Sequence, residues 1–76
     1  MSLTINQLQI GQKATVQDVS GDDPLALRLM EMGLLPGSDV EFIGRAPLGD
    51  PIEIRLSGYH LSLRQAEASR VIVDPS

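Results

Sequence analysis

Apolar and polar residues alternate in short stretches along most of this chain, and Gly and Pro separate the stretches. Val40 and Phe42 alternate with Asp39 and Glu41, the pattern of a half-buried strand. A Pro47-Leu48-Gly49-Asp50-Pro51 loop then turns the chain, and Ile52, Ile54 and Leu56 alternate with Glu53 and Arg55, which predicts a β-hairpin. Tyr59, Leu61 and Leu63 repeat the alternation after Gly58, and Val71-Ile72-Val73 reads as a closing strand. Lys13 to Val19 is also strand-like, although Val16 and Val19 fall out of phase. About five short strands at close spacing favour a small closed barrel, because closure hides the edges a short open sheet would expose.

One helix interrupts the strands. Asp22 or Asp23 can cap it, Pro24 suits the first helical position because its missing N–H costs nothing there, and both acids sit at the positive end of the helix dipole. Gly33 ends the helix, and Leu34 follows at the position that packs back in a Schellman motif. Leu35-Pro36-Gly37-Ser38 has type II turn chemistry, since Pro supplies the fixed φ and Gly the positive one. At the start of the chain, Thr4 and Gln7 fit a capping box around a short helical turn that buries Leu3, Ile5 and Leu8. Arg64 to Ala68 reads as a turn or a single helical turn.

The helix carries more apolar surface than a surface helix needs. Leu25, Leu29 and Met32 share one face, and Ala26, Leu27 and Met30 widen it to roughly 220°, against a usual stripe of about 100°. Either the helix is wedged deeply, or Leu27 and Met30 face a partner. Leu35 in a turn and Leu48 at a hairpin tip pose the same question. Loop packing would account for them, and so would an interface anchored on apolar tips.

Composition narrows what such a domain can do. The chain has 76 residues, the size of one domain spanning 1–76. A domain that small buries only about 60% of its unfolded surface and has little room for a deep active site. It has no cysteine, which excludes disulfides, thiolate zinc sites and cysteine nucleophiles. No apolar run approaches the roughly 20 residues of a membrane span, and no signal peptide is visible at the N-terminus, so a soluble chain that stays in the cytoplasm is expected. Six basic residues are scattered among ten acids for a net charge of −4, the wrong balance for nucleic acid or an anionic membrane. One Phe and one Tyr cannot line an aromatic groove for proline-rich ligands.

Candidate chemistry is sparse. His60 is the only histidine; Asp50 and Glu53 are the carboxylates that would join it in a metal site, but a surface or hydrogen-bonding role explains it better, because a site needs several convergent groups. Asp22 and Asp23 are accounted for by helix capping, and Met30 and Met32 by packing. No phosphate-binding glycine motif is present. Arg28, Arg45 or Arg64 could serve as an arginine finger to a GTPase, but nothing selects one of them. No catalytic residue, metal ligand or cofactor is therefore assigned, and the chain is not expected to be an enzyme.

Arg28-Leu29 through Met32-Gly33-Leu34-Leu35-Pro36-Gly37 resembles the RL..MGL.PG segment of the FeoA family, the small ferrous iron transport protein A of bacteria. Ala46-Pro47-Leu48-Gly49-Asp50-Pro51 is similar to the same family's APLGDP loop, and Gly58-Tyr59, Leu61-Ser62-Leu63-Arg64, Glu67-Ala68 and Val71-Ile72-Val73 continue the likeness in order. The resemblance implies a mostly β, SH3-like barrel with one inserted helix. It also implies a cytosolic accessory role beside FeoB, a membrane ferrous iron transporter with a G domain, peripheral to the inner membrane through that partner. Alternatives are regulation of the partner's GTPase and metal sensing like that of the barrel in iron-dependent repressors. The resulting candidate partner-binding residues are Leu27, Met30, Leu34, Leu35, Pro36, Gly37, Pro47, Leu48, Gly49, Asp50 and Pro51. Weak self-association is left open.

Overall fold

The computed structural model describes residues 3–76. Six strands form one antiparallel sheet in the order β1-β6-β2-β3-β4-β5. They are β1 (Leu3–Thr4), β2 (Lys13–Val19), β3 (Asp39–Arg45), β4 (Ile52–Leu56), β5 (Tyr59–Leu63) and β6 (Val71–Pro75). Helix α1 (Pro24–Glu31) lies between β2 and β3, and α2 (Gln65–Ala68) between β5 and β6. The expected strands are all present. The two-residue β1 is additional, and it exists because Leu3 and Thr4 pair with Val73 and Ile72 on the far side of the sequence.

The uneven phase of β2 has a physical cause. Val16 pairs with Val73 and Asp18 with Ile72, so the register against β6 shifts between Val16 and Asp18. One extra residue in a bulge lets Val16 and Val19 both face the core. A second shift, between Phe42 and Gly44, bends β3 against β4. Phe42 is fully buried in a core that also takes Ile5, Leu8, Leu29, Leu34, Ile52, Ile54, Leu63, Val71 and Val73. Ile5 and Leu8 are held by a 3-10 turn over Ile5–Gln7, with the Gln7 side chain accepting the Thr4 N–H at 2.9 Å. Leu3, by contrast, is only half-buried.

Helix α1 begins and ends as its sequence dictates. Asp23, not Asp22, is the cap: its Oδ1 accepts the Ala26 N–H at 3.3 Å, with Pro24 at the first helical position. Gly33 has φ +108°, and the Gly33 and Leu34 N–H groups donate to Met30 and Leu29 at 3.0 and 3.2 Å. That is the bonding of a Schellman motif, and it swings Leu34 back into the core.

The Arg70 guanidinium donates to the Asp23 carboxylate and holds its pKa below the ordinary aspartate value of 3.8. The interaction therefore stabilises the fold above pH 3.8 and is lost as pH falls through the lower folded value. Asparagine caps as well as aspartate. Asp23→Asn should thus lower the thermal midpoint at neutral pH while keeping the helix, and the gap from the parent protein should close in acid. Thermal melts of both proteins across that range check it, and a gap that stays constant in acid would contradict the pairing.

Candidate docking surface

The three loop and helix segments singled out above fold in different ways. In the turn after α1, the Ser38 N–H donates to the Leu35 carbonyl at 3.0 Å, and Gly37 has φ +92°. Gly37 and Ser38 also bond to Val16 of β2 at 2.8 Å, so the turn is fastened to the sheet. Leu35, Pro36 and Gly37 are exposed on it. Leu34 is fully buried and contributes core packing rather than partner contact.

In the 47–51 loop, the Gly49 N–H donates to the Ala46 carbonyl at 2.7 Å and the Ala46 N–H to the Pro51 carbonyl at 3.0 Å. These bonds close a tight turn with Leu48 at its tip. Leu48 is 96% exposed, which removes loop packing as an account of it. Pro47 is also exposed, while Gly49 and Pro51 are half-buried. The Asp50–Pro51 peptide bond is cis.

Asp50 has an internal task. Its Oδ1 accepts the Gln65 N–H at 2.9 Å, at the first residue of α2. Glu67 likewise accepts the Arg64 N–H at 2.8 Å with one oxygen and the Arg28 guanidinium with the other. The two carboxylates thereby tie the 47–51 loop and α1 to α2.

Helix α1 is mostly wedged. Ala26 and Leu29 are fully buried, and Leu25, Met30 and Met32 pack half-buried against the core. Leu27 alone of its large apolar residues is left out, at 57% exposure. Two exposed apolar residues were not among the candidates, Ile10 at 74% and Tyr59 at 72%. Ile10 stands just before Gly11 in a turn, the same signal that marked Leu48.

The other candidate chemistries are not assembled. Arg45 donates from Nη2 to the Asn6 carbonyl at 2.7 Å and lies 4.6 Å above the Phe42 ring. The His60 Nε2 is 3.2 Å from the Arg55 guanidinium, while Glu53 accepts the Ser62 hydroxyl. With Asp50 committed to α2, the three groups weighed as a metal site each have another neighbour. Among the described residues no group of three or more His, Cys, Asp or Glu is placed to hold a metal ion, and no helix is long and apolar enough to cross a membrane.

The family model of the FeoA domain matches residues 3–75 of this sequence. The chain belongs to the FeoA domain family. A solved FeoA-like protein of Clostridium acetobutylicum is 35% identical, superposes with a TM-score of 0.90, and is matched over 97% of this chain and 86% of its own. The FeoA of Stenotrophomonas maltophilia, solved with zinc and described as a prokaryotic SH3 domain protein, is 32% identical with a TM-score of 0.84, over 95% and 89% of the two chains. These superpositions make the six-stranded sheet of this FeoA domain SH3-like. A fusion of Fe(2+) transport protein A with the Fe(2+) transporter FeoB in Porphyromonas gingivalis is 31% identical over 72 residues. That match takes in 95% of this chain and 8% of the fusion protein's length.

Proposed function

We propose that this FeoA domain is an accessory module of ferrous iron uptake that docks on the cytosolic part of a FeoB-like transporter. It carries no chemistry of its own in this reading and sits at the inner membrane only through that partner. The observation that carries the proposal is Leu48, an apolar side chain held at 96% exposure by a hydrogen-bonded turn. A rigid tip presents apolar area with little ordering entropy to lose, which is the economy of an interface anchor. Leu27, Leu35 and the turn at Pro36-Gly37 supply further exposed surface. The Porphyromonas gingivalis fusion supports the choice of partner, since a single chain holds its two parts at high effective concentration. The Stenotrophomonas maltophilia protein has been put forward as a ferrous iron transport activating factor, which is consistent with an accessory role.

The test replaces Leu48 with Asp and measures affinity for the isolated cytosolic region of a FeoB-like transporter by calorimetry. An anchor of this kind is worth about 2 kcal/mol or more, so binding should weaken about 30-fold. Circular dichroism should show an unchanged fold, because Leu48 is almost fully exposed. A folded Leu48→Asp protein that binds as tightly as the parent removes this loop from the interface.

A further inference from the structure

We propose that Asp50 is a positioning residue of the docking loop: it serves the interface by fixing Leu48 against α2, and it does not itself touch the partner. This role rests on the docking reading above and adds to it what holds the anchor still.

The loop has little else to fix its direction. The bonds from Gly49 to Ala46 and from Ala46 to Pro51 close its shape, but both lie inside the tip. A turn closed in this way can still swing as a unit about the ends of β3 and β4, since loop tips move more than the strands that carry them. Leu48, at 96% exposure, has almost no packing to stop it. Among the described residues a single hydrogen bond joins 46–51 to the rest of the molecule, from the Gln65 N–H to Asp50 Oδ1 at 2.9 Å. The Arg64 guanidinium, 3.9 Å from the other Asp50 oxygen, adds a looser ionic contact.

The far end of that bond is a firm post. Helix α2 is short, but Ala68 is fully buried and Glu67 ties the helix to Arg28 of α1. The helix also needs Asp50. Its N-cap position holds Arg64, whose guanidinium has donors and no acceptor and caps nothing. A helix start leaves N–H groups without partners inside the helix. Glu67 takes the Arg64 N–H, and Asp50, fifteen positions away in the chain, takes that of Gln65. The carboxylate is thus occupied at α2, and only Gly49 separates Asp50 from Leu48. A tip pinned this close to its anchor residue loses less freedom on docking, and that difference appears as affinity.

The first measurement needs no partner. In NMR relaxation of the free protein, the Leu48 amide should be as ordered as the strands, with an order parameter near ~0.85, and should fall below about 0.6 in Asp50→Ala. Gln65→Pro should loosen Leu48 from the other side, because it deletes the donor and leaves the loop and its carboxylate intact. Proline suits this first helical position, and Arg64 already has the ψ of 150° that a residue before proline adopts. Asp50→Asn keeps an acceptor oxygen and should keep Leu48 ordered.

The second measurement is calorimetry against a FeoB-like transporter in detergent. Asp50→Ala and Gln65→Pro should each weaken binding about tenfold, and Asp50→Asn should stay within about twofold of the parent. On a Leu48→Ala background, Asp50→Ala should add almost nothing, because its effect runs through Leu48. If Asp50→Ala does not fold, Gln65→Pro and Asp50→Asn decide the matter. An ordered Leu48 in the variants that lack the bond, or undiminished binding by them, would overturn the positioning role. So would a loss in Asp50→Asn as large as in Asp50→Ala with Gln65→Pro unaffected, which would give the Asp50 carboxylate a direct contact with the partner. Leu48→Asp binding as tightly as the parent is a separate failure: it removes the loop from the interface, and Asp50 from docking with it, whatever the relaxation shows.

Discussion

Phe42→Ala should cost about 3–5 kcal/mol, the usual toll of emptying a large aromatic site in a packed core. Phe42 is fully buried, is the largest of the fully buried side chains, and pairs across β3 and β4 with Ile54. At about 0.05–0.15 kcal/mol per residue, a chain this size holds roughly 4–11 kcal/mol in all, so the variant would sit near the edge of folding. The substitution also removes the ring beneath Arg45, whose guanidinium joins β3 to the Asn6 carbonyl. Urea unfolding followed by circular dichroism measures the loss. A cost under about 1 kcal/mol would mean that the core collapses around the gap, and that Phe42 does not organise it.

Leu34→Ala should cost about 2–5 kcal/mol, while Leu35→Ala next to it should stay within about 0.5 kcal/mol. The two residues adjoin in a segment whose apolar character reads as continuous. The Schellman bonds turn Leu34 inward to full burial, and the following turn leaves Leu35 half outside. Paired unfolding curves separate them directly. Equal losses would contradict the partition of this segment into a core residue and a surface residue. Because Leu35→Ala spares the fold, it can also be carried into binding measurements where Leu34→Ala cannot.

Much of the architecture was readable from local chemistry. Pro24 and Gly33 bound α1 through effects that need no tertiary partner, namely a fixed φ, an unneeded N–H and a positive φ. Period-2 alternation marked β3 and β4 because one face of each is buried and the other wetter, and it marked β5 although burial there fades from Leu63 through half-buried Leu61 to exposed Tyr59. The two-residue β1 had no such signal, since nothing in Leu3-Thr4 itself says that it pairs with β6. The phase break in β2 was visible, but its meaning as a bulge depends on Val73 and Ile72 across the sheet.

The candidate surface divides in the same way. The resemblance drew attention to the 33–37 and 47–51 segments, yet it treated each as a unit. Side-chain direction splits them: Leu48 and Leu35 face outward, Leu34 faces the core, and Asp50 bonds to α2. Arg28 and Glu67, thirty-nine positions apart, meet only because α1 and α2 are brought together by the fold.

By itself, then, the sequence determined a small, cysteine-free, acidic, mostly β chain with one capped helix and an apolar excess that needs explaining. Those properties follow from local dihedral preferences and from the period of the hydrophobic pattern, which act within a few residues. The tertiary structure alone decided which apolar residues remain exposed, which carboxylates are committed to helix ends, and which two strands, β1 and β5, end the sheet. Each of these depends on contacts between residues far apart in sequence, and β5 is an edge only because no other strand of the sheet lies beyond it.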